Sequence, residues 1–198
     1  MFQLLTVGHS THSIERFIEL LQQNGVTAVA DVRSVPASRF TPQFNREPLR
    51  GSLERVGVRY VFLGEELGAR SSDPSCYIDG KVQYRRLAQT PAFASGIDRL
   101  IDGASRGRLA IMCTEQEPLD CHRTVLVSRV LTERGVEVSH IHGDGSIETH
   151  DDAMVRLRTK HHLAEPSLFD TEEELLGRAL DLQESEIAYV DKQLSAAG

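Results

Sequence analysis

Apolar positions along this chain fall into short runs that end abruptly at polar clusters. Leu4-Leu5-Thr6-Val7 stops at Gly8-His9-Ser10, and Ala28-Val29-Ala30 stops at Asp31-Val32-Arg33-Ser34. Leu109-Ala110-Ile111-Met112 stops at Cys113-Thr114-Glu115, with Cys121-His122-Arg123 close behind. Runs this short and almost wholly apolar read as buried strands. They predict strands over 3–7, 27–32 and 108–113, to which Val58 to Leu63 and Val136 to His142 add a third and a fifth in chain order.

Helical spacing fills the intervals. Ser13 is placed to cap a helix carrying Ile14, Phe17, Ile18 and Leu21, closed by Asn24-Gly25. A short helix near 47–56 follows, weakened by Gly51. Thr90 and Pro91 open another, with Phe93, Ile97, Leu100 and Ile101 on one stripe. Asp120 is positioned to cap a helix over 121–134, whose Val125, Leu126, Val130 and Leu131 face a core and whose end is marked by Gly135. Strands alternating with helices of this length predict an α/β fold: a three-layer, mostly parallel five-stranded sheet with flanking helices. Two stretches break the alternation. Residues 34–48 hold Pro36, Pro42 and Pro48 and read as a long loop serving as a lid or a binding loop. Residues 64–83 are polar and punctuated by Gly68, Pro74 and Gly80, and read as a cover over the strand ends or a moving segment.

The last quarter differs in charge. Residues 1–142 carry 17 basic and 16 acidic side chains, whereas 143–198 carry 5 and 13, so the net charge of −7 belongs to the tail. The chain therefore divides into an α/β domain over 1–145 and an acidic C-terminal helical extension over 146–198. Thr171 and Glu174 fit a capping box before Leu175, Leu176, Ala179, Leu180 and Ile187, which share one helical stripe running to about residue 190. That stripe packs on its own domain or forms a homodimer contact. The longest apolar runs fall far short of the ~20 residues that span a bilayer, and the N-terminus lacks a basic region before an apolar core, so a cytoplasmic chain without a membrane partner is expected. Three cysteines make no disulfide framework and are expected as reduced thiols.

Polar residues at the carboxyl ends of parallel strands are where an open α/β sheet binds ligands. His9, Asp31, Cys113 and Glu115 sit at such ends as candidate catalytic groups, with Ser10 and Ser34 beside them as candidate substrate contacts. Cys121 and His122 open a predicted helix, whose free N–H groups favour anions and lower a thiol's pKa. Arg33, Arg39 and Arg123 are candidate clamps for phosphate or carboxylate, since a guanidinium grips both oxygens at once. His140 and His142 also end a strand. There is no C-x-x-C and no H-E-x-x-H, so no metal or other cofactor is expected; Walker and G-x-G-x-x-G loops are absent too.

Taken in order, Thr6 to Ser10, Asp31 to Ser34 with Pro36, Ser38 and Arg39, then Cys113 to Glu115 with Pro118 and Cys121-His122-Arg123, resemble the bacterial family catalogued as domain of unknown function 488. The resemblance covers roughly residues 3–145. It implies a compact α/β domain with these polar clusters and carries no reaction. The expected function is an enzyme acting on an anionic small molecule or nucleic-acid component, with Cys121 or Cys113 as nucleophile or ligand and His9, Glu115 or His122 moving protons. The alternative is a non-catalytic nucleic-acid-binding module, using the six arginines between Arg33 and Arg59 against only Glu47 and Glu54.

Overall fold

A computed structural model describes residues 3–165 and 169–195. Its centre is a sheet of six strands: β1 (Gln3–Gly8), β2 (Ala28–Asp31), β3 (Arg59–Phe62), β6 (Leu109–Cys113), β7 (Glu137–Ile141) and β8 (Ile147–Thr149). They lie in the order β3-β2-β6-β1-β7-β8, all parallel except β8, which runs antiparallel to β7. A separate two-stranded hairpin joins β4 (Tyr77–Ile78) to β5 (Lys81–Val82). The predicted α/β architecture is present with one strand more than expected. β8 has a single large apolar residue, Ile147, in its three positions, too little for a periodic signal.

Side-chain alternation along the strands builds a core on each face of the sheet. Leu5, Val7, Val29, Ala110 and Met112 pack against Phe17, Leu20 and Leu21 of α1 (Ile14–Gln23) and Leu49 and Leu53 of α2 (Arg46–Arg55). Leu4, Ala30, Ile111 and Cys113 face the other way, onto Phe93, Ile97 and Leu100 of α5 (Pro91–Ser105) and onto Val125 to Leu131. The tail completes this second face. Ala153 and Leu157 of α7 (His150–Lys160) and Ala179 and Leu180 of α8 (Glu172–Ile187) belong to the same core, and the Thr171–Glu174 capping box is formed. Between β3 and β5, α3 (Gly64–Leu67) packs on α5, and α4 (Tyr84–Ala88) follows the hairpin.

One helix start departs from expectation. Asp120 closes a 3₁₀ turn over Pro118–Asp120, and Cys121 is extended (φ −136°, ψ 139°). The Cys121 carbonyl accepts the first bonds, from the N–H groups of Thr124 and Val125, so Cys121 takes the capping position. The first turn, Arg123–Ser128, is π-helical before α6 (Arg129–Glu133). Gly8 shows how tightly the strand ends meet: a Cβ there would overlap the Glu115 carbonyl.

Candidate functional site

Two buried polar groups occupy the carboxyl ends of the central strands. The first gathers around Arg33. Its guanidinium bonds both Asp31 oxygens (Nε to Oδ1 2.9 Å, Nη2 to Oδ2 2.6 Å), the Phe44 carbonyl at 2.8 Å and His9 Nε2 at 3.2 Å. Tyr60 donates its hydroxyl to Asp31 Oδ2 at 2.8 Å. His9 donates Nδ1–H to the Ser10 carbonyl at 2.8 Å and stacks on Phe44 with ring centroids 4.3 Å apart. Burial and the Arg33 charge lower the His9 pKa from 6.5 to about 4, so the imidazole is neutral. Burial alone would lower the Arg33 pKa; its hydrogen bonds to Asp31 and the Asp31 charge outweigh that and raise it.

The second gathers around Glu115. Cys113 from the end of β6 and Cys121 from the helix cap both donate their thiols to Glu115 Oε2, at 3.2 and 3.0 Å. His122 Nδ1 faces the same two sulfurs at 3.7 and 3.9 Å, while its Nε2 meets the Val32 carbonyl at 3.1 Å. Burial opposes ionisation of Cys121, yet the Cys113 thiol and the positive charges of Arg123 and His122 hold its pKa well below the ordinary thiol value. Cys113, hydrogen-bonded to Cys121 and buried, is pushed the other way and keeps its proton. Burial and the neighbouring Cys121 raise the Glu115 pKa. For His122, burial is outweighed by the Cys121 sulfur and the pKa rises.

This second cluster lines a pocket of 210 Å³ together with Arg33, Ser34, Arg70, Tyr84 and, from the tail, Ile187 and Tyr189. The tail is laced to the hairpin beside it: Val82 N–H donates to the Tyr189 carbonyl at 3.0 Å and Asp191 N–H to the Gly80 carbonyl at 2.7 Å. The Arg70 guanidinium lies 4.6 Å from the centre of the Tyr189 ring and makes no ion pair with a carboxylate among the described residues. A larger cavity of 470 Å³ lies along β7 against His150, with no cysteine or arginine among its lining residues.

The predicted site residues thus separate. Cys113, Glu115, Cys121 and His122 come together. His9 and Asp31 are drawn into the Arg33 network, and Ser34 accepts from the Arg70 backbone N–H at 2.9 Å. Ser10 has φ +47°, and its hydroxyl donates to Gln116 Oε1 at 3.4 Å. Arg39 is exposed over Phe40, 4.7 Å from the ring centre. Arg123 is fully buried, donating to the Glu115 and Gln116 carbonyls at 2.6 and 3.1 Å, which fastens the 113–121 loop rather than presenting a charge to solvent. His140 bonds Thr6 and His150, and His142 bonds Glu148, away from the pocket. Of the arginine-rich stretch, Arg50 pairs with Glu47 and Glu54, and Arg46 lies over Phe62. Arg70, Tyr84 and Tyr189 had no signal at their own positions; only the polar, Gly-punctuated composition of 64–83 pointed to part of this wall.

Among the described residues no helix is long and apolar enough to cross a membrane. No curated protein and no solved structure matches the chain. The family model described as Domain of unknown function DUF488 matches residues 13–130, more than half of the chain. That span runs from the cap of α1 through Asp31, Arg33 and the whole Cys113–His122 cluster, and the chain belongs to the DUF488 family.

Proposed function

We propose that this protein is an enzyme acting on a small substrate with an anionic group, in the pocket where Cys113, Glu115, Cys121 and His122 meet. One observation carries the reading: two thiols, a carboxyl and an imidazole converge in a buried place at the strand ends, where their contacts are mainly with one another. Buried polar groups that packing does not require mark functional sites, above all where neighbours push their pKa values apart. The two sulfurs and His122 Nδ1 are the electron-pair donors of the centre. Glu115, its pKa raised by burial and by Cys121, is the group that gives and takes a proton. Arg70 stands at the wall with no carboxylate partner among the described residues, placed to turn to a phosphate or carboxylate. A volume of 210 Å³ admits a substrate of a few heavy atoms beyond that anion, such as the phosphate end of a nucleotide, rather than a duplex.

The test is a turnover screen of phosphate monoesters, nucleotides and small carboxylate esters with wild type, Cys121→Ser and Glu115→Gln. Expected is a substrate whose turnover falls at least 100-fold in both variants while their thermal unfolding stays cooperative. Turnover that both variants retain would move the chemistry out of this pocket. Binding of nucleoside monophosphates that perturbs amide resonances elsewhere, leaving Ser34, Arg70 and Thr114 unmoved, would do the same.

A further inference from the structure

We infer that Cys113 Sγ, Cys121 Sγ and His122 Nδ1 form a three-ligand site for a zinc-class divalent cation, its fourth position opening on the pocket beside Glu115. The inference rests on the proposed enzyme site and names the cofactor of its centre.

Geometry comes first. The three ligand atoms all lie within 4.8 Å of one another. A tetrahedral ion bound ~2.3 Å from sulfur and ~2.0 Å from nitrogen sets neighbouring sulfur and nitrogen ligands about 3.5 Å apart. The two distances here, 3.7 and 3.9 Å, need only a slight contraction to meet that value.

Orientation is already set. A backbone carbonyl only accepts, so the contact from His122 Nε2 to the Val32 carbonyl places the ring hydrogen on Nε2 and, in the neutral ring, leaves the Nδ1 lone pair aimed at the sulfurs. A carbonyl behind the imidazole is the arrangement that holds histidine ligands on metals. The loop between the two cysteines is equally fixed, since buried Arg123 grips two of its carbonyls.

Charge gives the chemical reason. Without an ion, both thiols point at one oxygen of one carboxyl group, while the nearby Arg123 guanidinium donates to the Glu115 and Gln116 carbonyls rather than to the sulfurs. Two thiolates with a dication are neutral as a set, which suits a place with no solvent to stabilise separate charges. A disulfide would consume both sulfurs and leave the Nδ1 lone pair without a partner. Two soft sulfurs and an imidazole select zinc over magnesium or calcium, which take oxygen. Three protein ligands with one position left open is the pattern of a catalytic zinc; Glu115 is placed to take the proton of a water held there. Absence of a C-x-x-C spacing hides the site in the chain: its ligands come from a strand end and from a helix cap eight residues on.

The experiment is a cobalt(II) titration of the reduced, chelator-treated full chain, followed by absorption. Expected is saturation at one equivalent, with a near-ultraviolet thiolate-to-cobalt band and visible bands of four-coordinate intensity, all displaced by zinc. Cys113→Ser and Cys121→Ser should each roughly halve the thiolate band and weaken binding more than tenfold. Cys76→Ala, which removes the remaining thiol, should leave the spectrum unchanged. A wild-type chain without a thiolate band overturns the inference, needing no variant to fold; so does a band that survives loss of both Cys113 and Cys121. If that happens while Cys121-dependent turnover persists, the enzyme reading stands with the thiolate acting directly.

Discussion

Two buried polar clusters lie side by side at the same end of the sheet, and their hydrogen-bond balance differs. Around Arg33 the donors and acceptors match: a guanidinium faces a carboxylate, two carbonyl oxygens and the His9 lone pair accept, and the Tyr60 hydroxyl fills a remaining Asp31 position. Around Glu115 both thiols donate to one oxygen of a single carboxyl group, and an imidazole nitrogen faces the sulfurs at 3.7 and 3.9 Å, beyond the reach of an N–H···O bond. Both are buried and both stand at strand ends, so position does not separate them. Balance does. A closed set of partners explains itself by stability, whereas a set that needs a further ion or reactant to close explains itself by function.

Breaking the balanced cluster should produce the largest effect on folding. Asp31→Ala leaves the Arg33 guanidinium buried with its main partner gone, a change that costs roughly 3–5 kcal/mol. Cys121→Ser keeps a polar donor in place and should cost well under half of that, although the residue is as deeply buried. Urea unfolding of the two variants reads the difference. Equal losses would erase the distinction between the clusters.

Acid should strain the matched regions in a calculable window. His9 and His150, both held neutral chiefly by burial, have pKa values lowered from 6.5 to about 4. The unfolded chain takes up these protons first, so the stability present above pH 6.5 falls as pH drops and is fully lost below about 4. Each histidine accounts for about 3 kcal/mol over that interval. His150→Gln should remove its share of the slope, leaving the contributions of His9 and of buried His140, whose pKa is also lowered well below 6.5. A profile level from pH 7 to 4 would mean that none of these imidazoles is held neutral, and the closed network around His9 would lose its electrostatic basis. His122 has the opposite direction, raised by the Cys121 sulfur, so the two clusters also differ in the sign of their histidine's shift.

How much of this was legible follows from which signals are local. Strand ends and their polar clusters stand out because parallel strands are short apolar runs, and Gly8-His9, Asp31 and Cys113 end β1, β2 and β6, which lie together in the sheet with β6 between the other two. The meeting of Cys113 with Cys121 and His122 was within reach for the same reason. Partner choice was not. Arg33 and Arg123 look alike as residues, but one is claimed by a carboxylate two positions earlier and the other by carbonyls of the loop before it, and neither bond leaves a periodic trace. Asp120 has the propensity of a cap, yet the 3₁₀ turn it closes places the Cys121 carbonyl where the first helical N–H groups arrive. The tail's part in the pocket was hidden for a different reason: Tyr189 lies beyond the end of α8, and its carbonyl accepts a hydrogen bond from Val82 of a two-residue strand.

That tail contact gives the smallest expected effect and the finest test of which cation serves the pocket. Arg70 over the Tyr189 ring is a partly exposed cation–π pair, a contribution of about 0.5–1 kcal/mol. Tyr189→Ala should therefore shift the unfolding midpoint only slightly while freeing the guanidinium, and Arg70→Gln should leave folding equally intact while removing the charge. Their effects on phosphate binding must then run apart: unchanged or tighter in Tyr189→Ala, at least fivefold weaker in Arg70→Gln, read by calorimetry at low salt. Arg33 cannot substitute, because turning toward a ligand would strip Asp31 of its cation at a cost several times the gain of one exposed phosphate contact. If Arg70→Gln binds phosphate as wild type does, the anion is held at the cluster itself, and the open position beside Glu115 becomes the place to look for it.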